Sequence, residues 1–429
     1  MAAPLTPPEP RPLLVRGVTL LPGPAQPSRL ADVRIDAADG RLLDLAASPR
    51  SGEPQLDGSG CWLGPPLVDP HSVLEEPRFG RAETLATLAA AAAAGGYGTV
   101  ALLPWARDWR DRPERLDLRW PEPLQLLLWG SFSRDGLEAE LAPHGEQLEA
   151  GAVGLACGES LPPLALLERG LVLAEMGGAP VLVAPRDRDL ATRGFVRERV
   201  EALRAGWPLD PVLSETLPLH SLLTLAESVG EAALRLMNVS TAEAVALLRT
   251  CARPAQASVC WWHLLADSGH LDPADEGWRL VPSLGGPTDR EALIAALADG
   301  VLSAVAIHHQ PLDAEEQLLP LDQRRPGVAG HGPALALLWQ ELVERRGWGG
   351  SLLWQRLCWG PAAFLGQPAQ SLQPGSRRWI LFDPAAERLW RGPSLAANQP
   401  AAAVPLRGAV VASGLSDPAV WMARGIPRH

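Results

Sequence analysis

The sequence predicts an α/β protein, a (β/α)8 barrel inserted into a small β-sandwich formed by the N- and C-terminal segments. Three observations carry this. The chain has 429 residues, which suits a large barrel plus a smaller accessory unit better than one compact core. Its middle alternates short apolar runs with helix-period segments, while both ends carry strand-like runs separated by Pro, Gly and Asp.

Taken in order, residues 1–12 (MAAPLTPPEPRP) are Pro-rich and are expected to form a disordered tail. Runs at 13–21, 31–35 and 42–45 make up the first part of the sandwich, over 13–64. The barrel follows over 65–368. Its strands are expected at 66–68, 99–103, 124–129, 152–155, 180–183, 232–236, 258–260 and 304–307. Helices are expected between them, at 81–94, 163–176, 219–229, 241–251 and 289–298. Thr241 with Glu243 gives the fourth of these a capping signal. Eight such alternations over about 300 residues fit a TIM-like barrel, whose chemistry sits at the C-terminal ends of the strands. Runs at 378–383, 388–390 and 409–412 complete the sandwich over 369–429.

Composition excludes several functions. A net charge of −11 argues against a nucleic-acid or anionic-membrane binder. The chain has no lysine, so all 38 cations are arginines. That removes a Schiff base, a P-loop and a carboxylated lysine bridging two metals. The five cysteines, Cys61, Cys157, Cys251, Cys260 and Cys358, are odd in number and form no C-x-x-C. With no secretory leader evident, a reduced, cytoplasmic setting is the expectation. The alanine-rich run near 85–96 is too short and too weakly apolar to span a bilayer.

A set of segments in collinear order is more specific. Residues 64–98 read GPPLVDPHSVLEEPRFGRAETLATLAAAAAAGGYG, and 151–158 read GAVGLACG. NVSTAEAV follows at 238–245, WWHLL at 261–265, AIHHQPL at 306–312 and PAAFLG at 361–366. Together they resemble the dihydroorotases of the amidohydrolase superfamily, along nearly the whole chain. The first segment is similar to that family's V-D-x-H-x-H-x-R-E-P-G strand and the helix after it.

The resemblance implies a metal-dependent hydrolase of cyclic amides, with one or two zinc ions held at the strand ends and a bound hydroxide as nucleophile. Matched residue by residue, this chain departs from the pattern. The histidine pair reads His71 and Val73. The fourth-strand carboxylate position is Cys157, the fifth-strand histidine Ala184 and the sixth-strand histidine Asn238. His308 stands where the family has an aspartate that ligates metal and acts as general base. The arginine that clamps the substrate carboxylate matches Glu75, reversing the charge. The M-P-N-T asparagine matches Trp105, and the P-L-R region reads PSLG at 282–285.

The expectation is therefore a dihydroorotase-like protein of pyrimidine biosynthesis with no catalytic, substrate-binding or metal residues and no cofactor. It would act as a structural or regulatory partner, as a homo-oligomer or in a complex with aspartate carbamoyltransferase, for which the resemblance supplies a precedent. The alternative is a divergent amidohydrolase acting on another cyclic amide or ureide, with zinc in a rebuilt site of His71, Cys157 and His308. His309 and Glu215 are expected to be structural, the latter in a salt bridge. Of the sixteen tryptophans, Trp105 or Trp262 is expected to plug the barrel mouth. Those on helices 333–348 and 351–359 are expected to line a partner surface.

Overall fold

The computed structural model describes residues 11–229, 233–251, 255–270, 272, 277–400 and 404–424. The expected tail lies outside them at 1–10, as does Ala232 of the sixth expected strand. Pro12, assigned to the tail, instead begins the first strand.

The N-terminal segment supplies β1 (Pro12–Leu20), β2 (Arg29–Asp36), β3 (Leu42–Asp44), β4 (Gln55–Asp57) and β5 (Trp62–Gly64). The barrel strands are β6 (Leu67–Ser72), β7 (Tyr97–Leu102), β8 (Gln125–Leu128) continued by β9 (Gly130–Ser131), β10 (Leu155–Ala156) and β11 (Val181–Val183). A short parallel pair, β12 (Val196–Arg197) and β13 (Leu209–Asp210), sits in a loop. β14 (Leu234–Leu236), β15 (Gln256–Cys260) and β16 (Ala304–Ala306) complete the barrel. β17 (Ile380–Leu389) and β18 (Pro405–Ser413) return to the first unit.

The terminal strands share one seven-stranded sheet, ordered β18-β17-β5-β1-β2-β3 with β4 beside β1. Bulges in β1 and β17 bend it. Leu42 at one edge and Val411 at the other therefore share a core with Leu63 and Trp379. The runs expected at 378–383 and 388–390 form one bulged strand rather than two.

All eight barrel strands are parallel neighbours. β6, β7, β11 and β16 are buried at every position, as strands covered on both faces must be. Their side chains alternate between two layers. Val68, Ala101, Ala156, Leu182 and Ala304 fill the interior with Trp129 and Phe364. Leu67, Val100, Leu155, Val181 and Val305 pack outward against the helices. The helices start later or earlier than the apolar pattern alone suggests. The first begins at Leu85 behind a Thr84–Thr87 capping box. That at Leu213–Val229 starts six residues before the expected position 219 and carries Pro218 inside it.

Tryptophans join the barrel to the sheet. The Trp354 indole N–H donates to Pro65 O at 3.0 Å, and that of Trp359 to Gln370 O at 2.8 Å. Trp339 packs edge-on against Trp62 with ring centroids 5.4 Å apart. All three are buried. Of the four tryptophans on the helices 333–348 and 351–359 expected to line a partner surface, these three are thus consumed by packing within the chain, and Trp348 is half-buried.

The barrel closes between β6 and β16 through side chains. The Ile307 N–H donates to Asp69 Oδ1 at 2.9 Å, and the His309 N–H to Ser72 Oγ at 2.8 Å. The Val73 N–H donates to His309 O at 2.8 Å. Ser72 Oγ donates to Asp69 Oδ2, which His331 Nε2 also approaches at 2.8 Å. Burial pushes the Asp69 carboxyl up, but His331 and Ser72 outweigh it and hold it below its ordinary value. Asp69→Ala strands His331 and the Ile307 N–H. It should cost about 3–5 kcal/mol in urea unfolding, and Asp69→Asn, which keeps an acceptor, should cost less. A loss under about 1 kcal/mol for the alanine variant would show that the seam holds without this carboxylate.

Candidate active site at the barrel mouth

At the C-terminal ends of the strands, β6 delivers His71 and the segment after β16 delivers His308. Their Nδ1 atoms lie 3.0 Å apart, with the rings nearly perpendicular at 78°. His71 Nε2 lies 2.8 Å from Ser258 Oγ on β15. Ser258 Oγ also accepts the Asn238 N–H at 3.0 Å. Two Nδ1 atoms at this distance share one proton, so both rings cannot be imidazolium together. Burial pushes His71 down to about 4 and His308 well below the ordinary histidine value, where the neighbouring His71 lowers it further.

Cys157 does not join them. It packs outward with Leu155 and Val183, while Ala156 faces the interior. Burial also holds its thiol well above the ordinary value, against formation of the thiolate that zinc needs. Val73 and Ala184 line the interior with no donor atoms for a metal, and the Met237 thioether beside them is not among the N, O and thiolate ligands that zinc takes. Among the described residues no group of three or more His, Cys, Asp or Glu side chains is placed to hold a metal ion. The residues present therefore do not fit a zinc site, and the His71–Cys157–His308 set is not assembled. The reason is parity: one position along a strand turns a side chain to the opposite layer.

Asn238 and His308 have positive φ, +53° and +47°. Both occupy the left-handed region that non-glycine residues rarely adopt, a strain that clusters at functional sites. Among the described residues, neither polar atom of the buried Asn238 amide has a hydrogen-bond partner. Trp105 closes this chamber. Its indole N–H donates to Cys157 O at 2.9 Å, and its ring meets His308 edge-on. Only about 20 Å³ remains between Trp105, Ala184, Met237, Asn238, Pro282 and His308, room for about one water. Of the two expected plugs, Trp105 fills this role. Trp262 donates to Gly277 O at 3.0 Å instead.

The expectation of a plugged mouth holds only in depth, and the open space outside it counts against a filled pocket and toward the divergent enzyme. Outside Trp105 lies a polar cleft of about 580 Å³ that includes Val73, Glu75, Trp109 and Glu138 in its walls. Glu75 is not a bare reversed charge there: Arg325 pairs with it and with Glu316. His309 turns away from His308 toward Glu83, 3.3 Å away. Glu215 accepts the Ser240 N–H at 2.7 Å beside the buried Arg197, the salt-bridge role expected of it. Sequence reasoning missed Asp69, His331, Trp109 and Glu138. Asp69 stood in the quoted V-D-P-H segment, which was the one available signal.

No family model matches the chain. It is 33% identical over 399 residues to a probable dihydroorotase-like protein of Synechocystis sp., covering 83% of this chain and 89% of that one. The chain belongs to the dihydroorotase family. This dihydroorotase relative is also 30% identical to the dihydroorotase of Thermus aquaticus, over 87% of its length and 90% of the other's. It is 29% identical to a dihydroorotase-like protein of Pseudomonas aeruginosa, over 87% and 90%. Among solved structures it resembles the L-hydantoinase of Arthrobacter aurescens, with a TM-score of 0.75 and 17% identity over 94% of both chains. The D-hydantoinase of Bacillus sp. AR9 gives 0.74 and 19%, again over 94% of each. These structures establish the barrel fold. No helix among the described residues is long and apolar enough to cross a membrane.

The histidine pair sets a pH dependence. Unfolded, each imidazole takes a proton near pH 6.5. Folded, His71 does so only near 4, and burial beside His71 holds His308 well below its ordinary value too. Their contribution is complete above pH 6.5 and is lost as pH falls toward 4. The slope approaches about 1.4 kcal/mol per pH unit for each group. Urea unfolding between pH 6.5 and 4.5 should therefore be more pH-dependent in the wild type than in the double variant His71→Gln/His308→Gln. Equal slopes would mean the pair is protonated in the fold.

Proposed function

We propose that this dihydroorotase relative does not carry out the dihydroorotase reaction. In this reading it serves pyrimidine biosynthesis as a structural or regulatory partner, in a homo-oligomer or with aspartate carbamoyltransferase. The observation that supports this most is the His71–His308 contact. It stands where the resemblance puts a metal ligand and the general base, and it commits both rings to each other.

Hydrolysis of a cyclic amide needs an activated hydroxide, a base with a pKa near the working pH and room for the ring. Here the two Nδ1 atoms are committed to one another and His71 Nε2 to Ser258. His308 is too weak a base once burial has pushed it down, and the chamber left by Trp105 holds about 20 Å³. The substrate-clamping arginine of the family matches Glu75, whose charge Arg325 already offsets. The family relation, the intact barrel and the altered strand ends fit a chain kept for what its fold binds.

Dihydroorotate and carbamoyl-aspartate should show no interconversion by the purified protein, with or without added zinc. Turnover that His71→Ala abolishes would sink the proposal. The partner role has a separate check. Light scattering after size exclusion should show an oligomer, or a complex with the aspartate carbamoyltransferase of the same cell. A monomer that ignores that enzyme at micromolar concentration would remove this half of the reading.

A further inference from the structure

We propose that the cleft outside Trp105 binds a small, planar, cationic molecule such as an aryl amidine or a protonated heteroaromatic amine. Its volume of about 580 Å³ lies within the range of small-molecule sites. Trp105 and Trp109 both line it, and indole faces attract flat cations.

The position of the charge is built into the backbone. Glu138 has a φ of +56°, a left-handed turn taken by a residue with a side chain. Its N–H donates to Ser133 Oγ at 3.1 Å, which fixes the loop. A Cβ on Gly158 would lie 2.9 Å from Glu138 Oε1, and one on Gly136 would lie 2.3 Å from the Trp109 ring. Gly136 is what lets the rigid Trp109 indole occupy this wall, and Gly158 leaves the Glu138 carboxylate room beside it.

The other charges of the cleft are committed. Arg325 pairs with Glu75 and with Glu316. Arg188 lies 3.7 Å from Glu159, which also accepts from Gln310 at 3.3 Å. Glu138 is the lining carboxylate with no basic side chain in ion-pair range among the described residues. Burial pushes its carboxyl up, while the Gly158 N–H and the more distant Arg188 act the other way. A cation entering beside Trp109 would meet that carboxylate directly. An anion would have to displace Glu75 or Glu159 from its arginine and would still face Glu138.

This inference rests on the reading of Trp105 as the cover of a non-catalytic chamber, and the test separates the two. Benzamidine, benzamide and benzoate share one shape and differ in charge. Titration calorimetry on the full chain should show benzamidine binding about tenfold tighter than benzamide, with benzoate weakest. E138Q should bring benzamidine within about threefold of benzamide, while E138D should keep the preference. W109L should weaken benzamidine and benzamide together, with circular dichroism confirming that each variant is folded. Benzoate binding as tightly as benzamidine, no saturable benzamidine binding, or an unchanged ratio in folded E138Q would overturn the inference. Dihydroorotate turnover in the same preparation with the cation preference intact would strike the proposed function alone. Absence of both would strike this inference alone.

Discussion

A parallel barrel must join its last strand to its first, and here the join depends on one buried carboxylate. Asp69 accepts the Ile307 N–H across the β6–β16 seam, where the two strands form no regular ladder. It also receives Ser72 and His331. Ser72 in turn accepts the His309 N–H. The residue on one side of that link is Ile307; the next is His308, which the seam therefore holds against His71. The geometry of the altered site is a consequence of barrel closure. The backbone that presents the side chains at the mouth is fixed from beneath.

The same separation explains what the sequence disclosed. Barrel strands buried on both faces read as short apolar runs, and all eight stood close to where the runs predicted. Strand ends were less legible. The run at 152–155 overlaps its strand only at Leu155, because the preceding residues complete a turn after the helix His144–Glu149. At the site, motif order identified the positions but not which way they face. β10 has two residues, too few for alternation to reveal that Cys157 points outward. Pairings were less legible still. Glu75 and Arg325 are 250 positions apart, and Asp69 and His331 are 262 apart. No local periodicity reports a charge pair at that range, so Glu75 read as a bare reversed charge when it is an offset one.

The strand ends still carry the conformational cost of an active site. Asn238 and His308 lie in left-handed backbone, and the buried Asn238 amide has no hydrogen-bond partner for either polar atom among the described residues. Each feature is unfavourable by itself. Trp105 and His71 pack against the His308 ring, and Ser258 Oγ accepts the Asn238 N–H, which confines these residues. Val73, Ala184 and Asn238 stand at these strand ends in a corner that keeps this backbone shape.

The tryptophan clasps between barrel and sheet bear on how the molecule comes apart. Trp354 and Trp359 each lock an indole N–H onto backbone of the linking segments on either side of the barrel, at Pro65 and Gln370. Trp339 is sandwiched between Trp62 and Phe382. The sheet is itself made from both chain ends, so neither end can peel away without opening the sheet and uncovering indole surface. Barrel and sheet are coupled in this way, so that the first and last strands, β1 and β18, act as a buckle around the barrel.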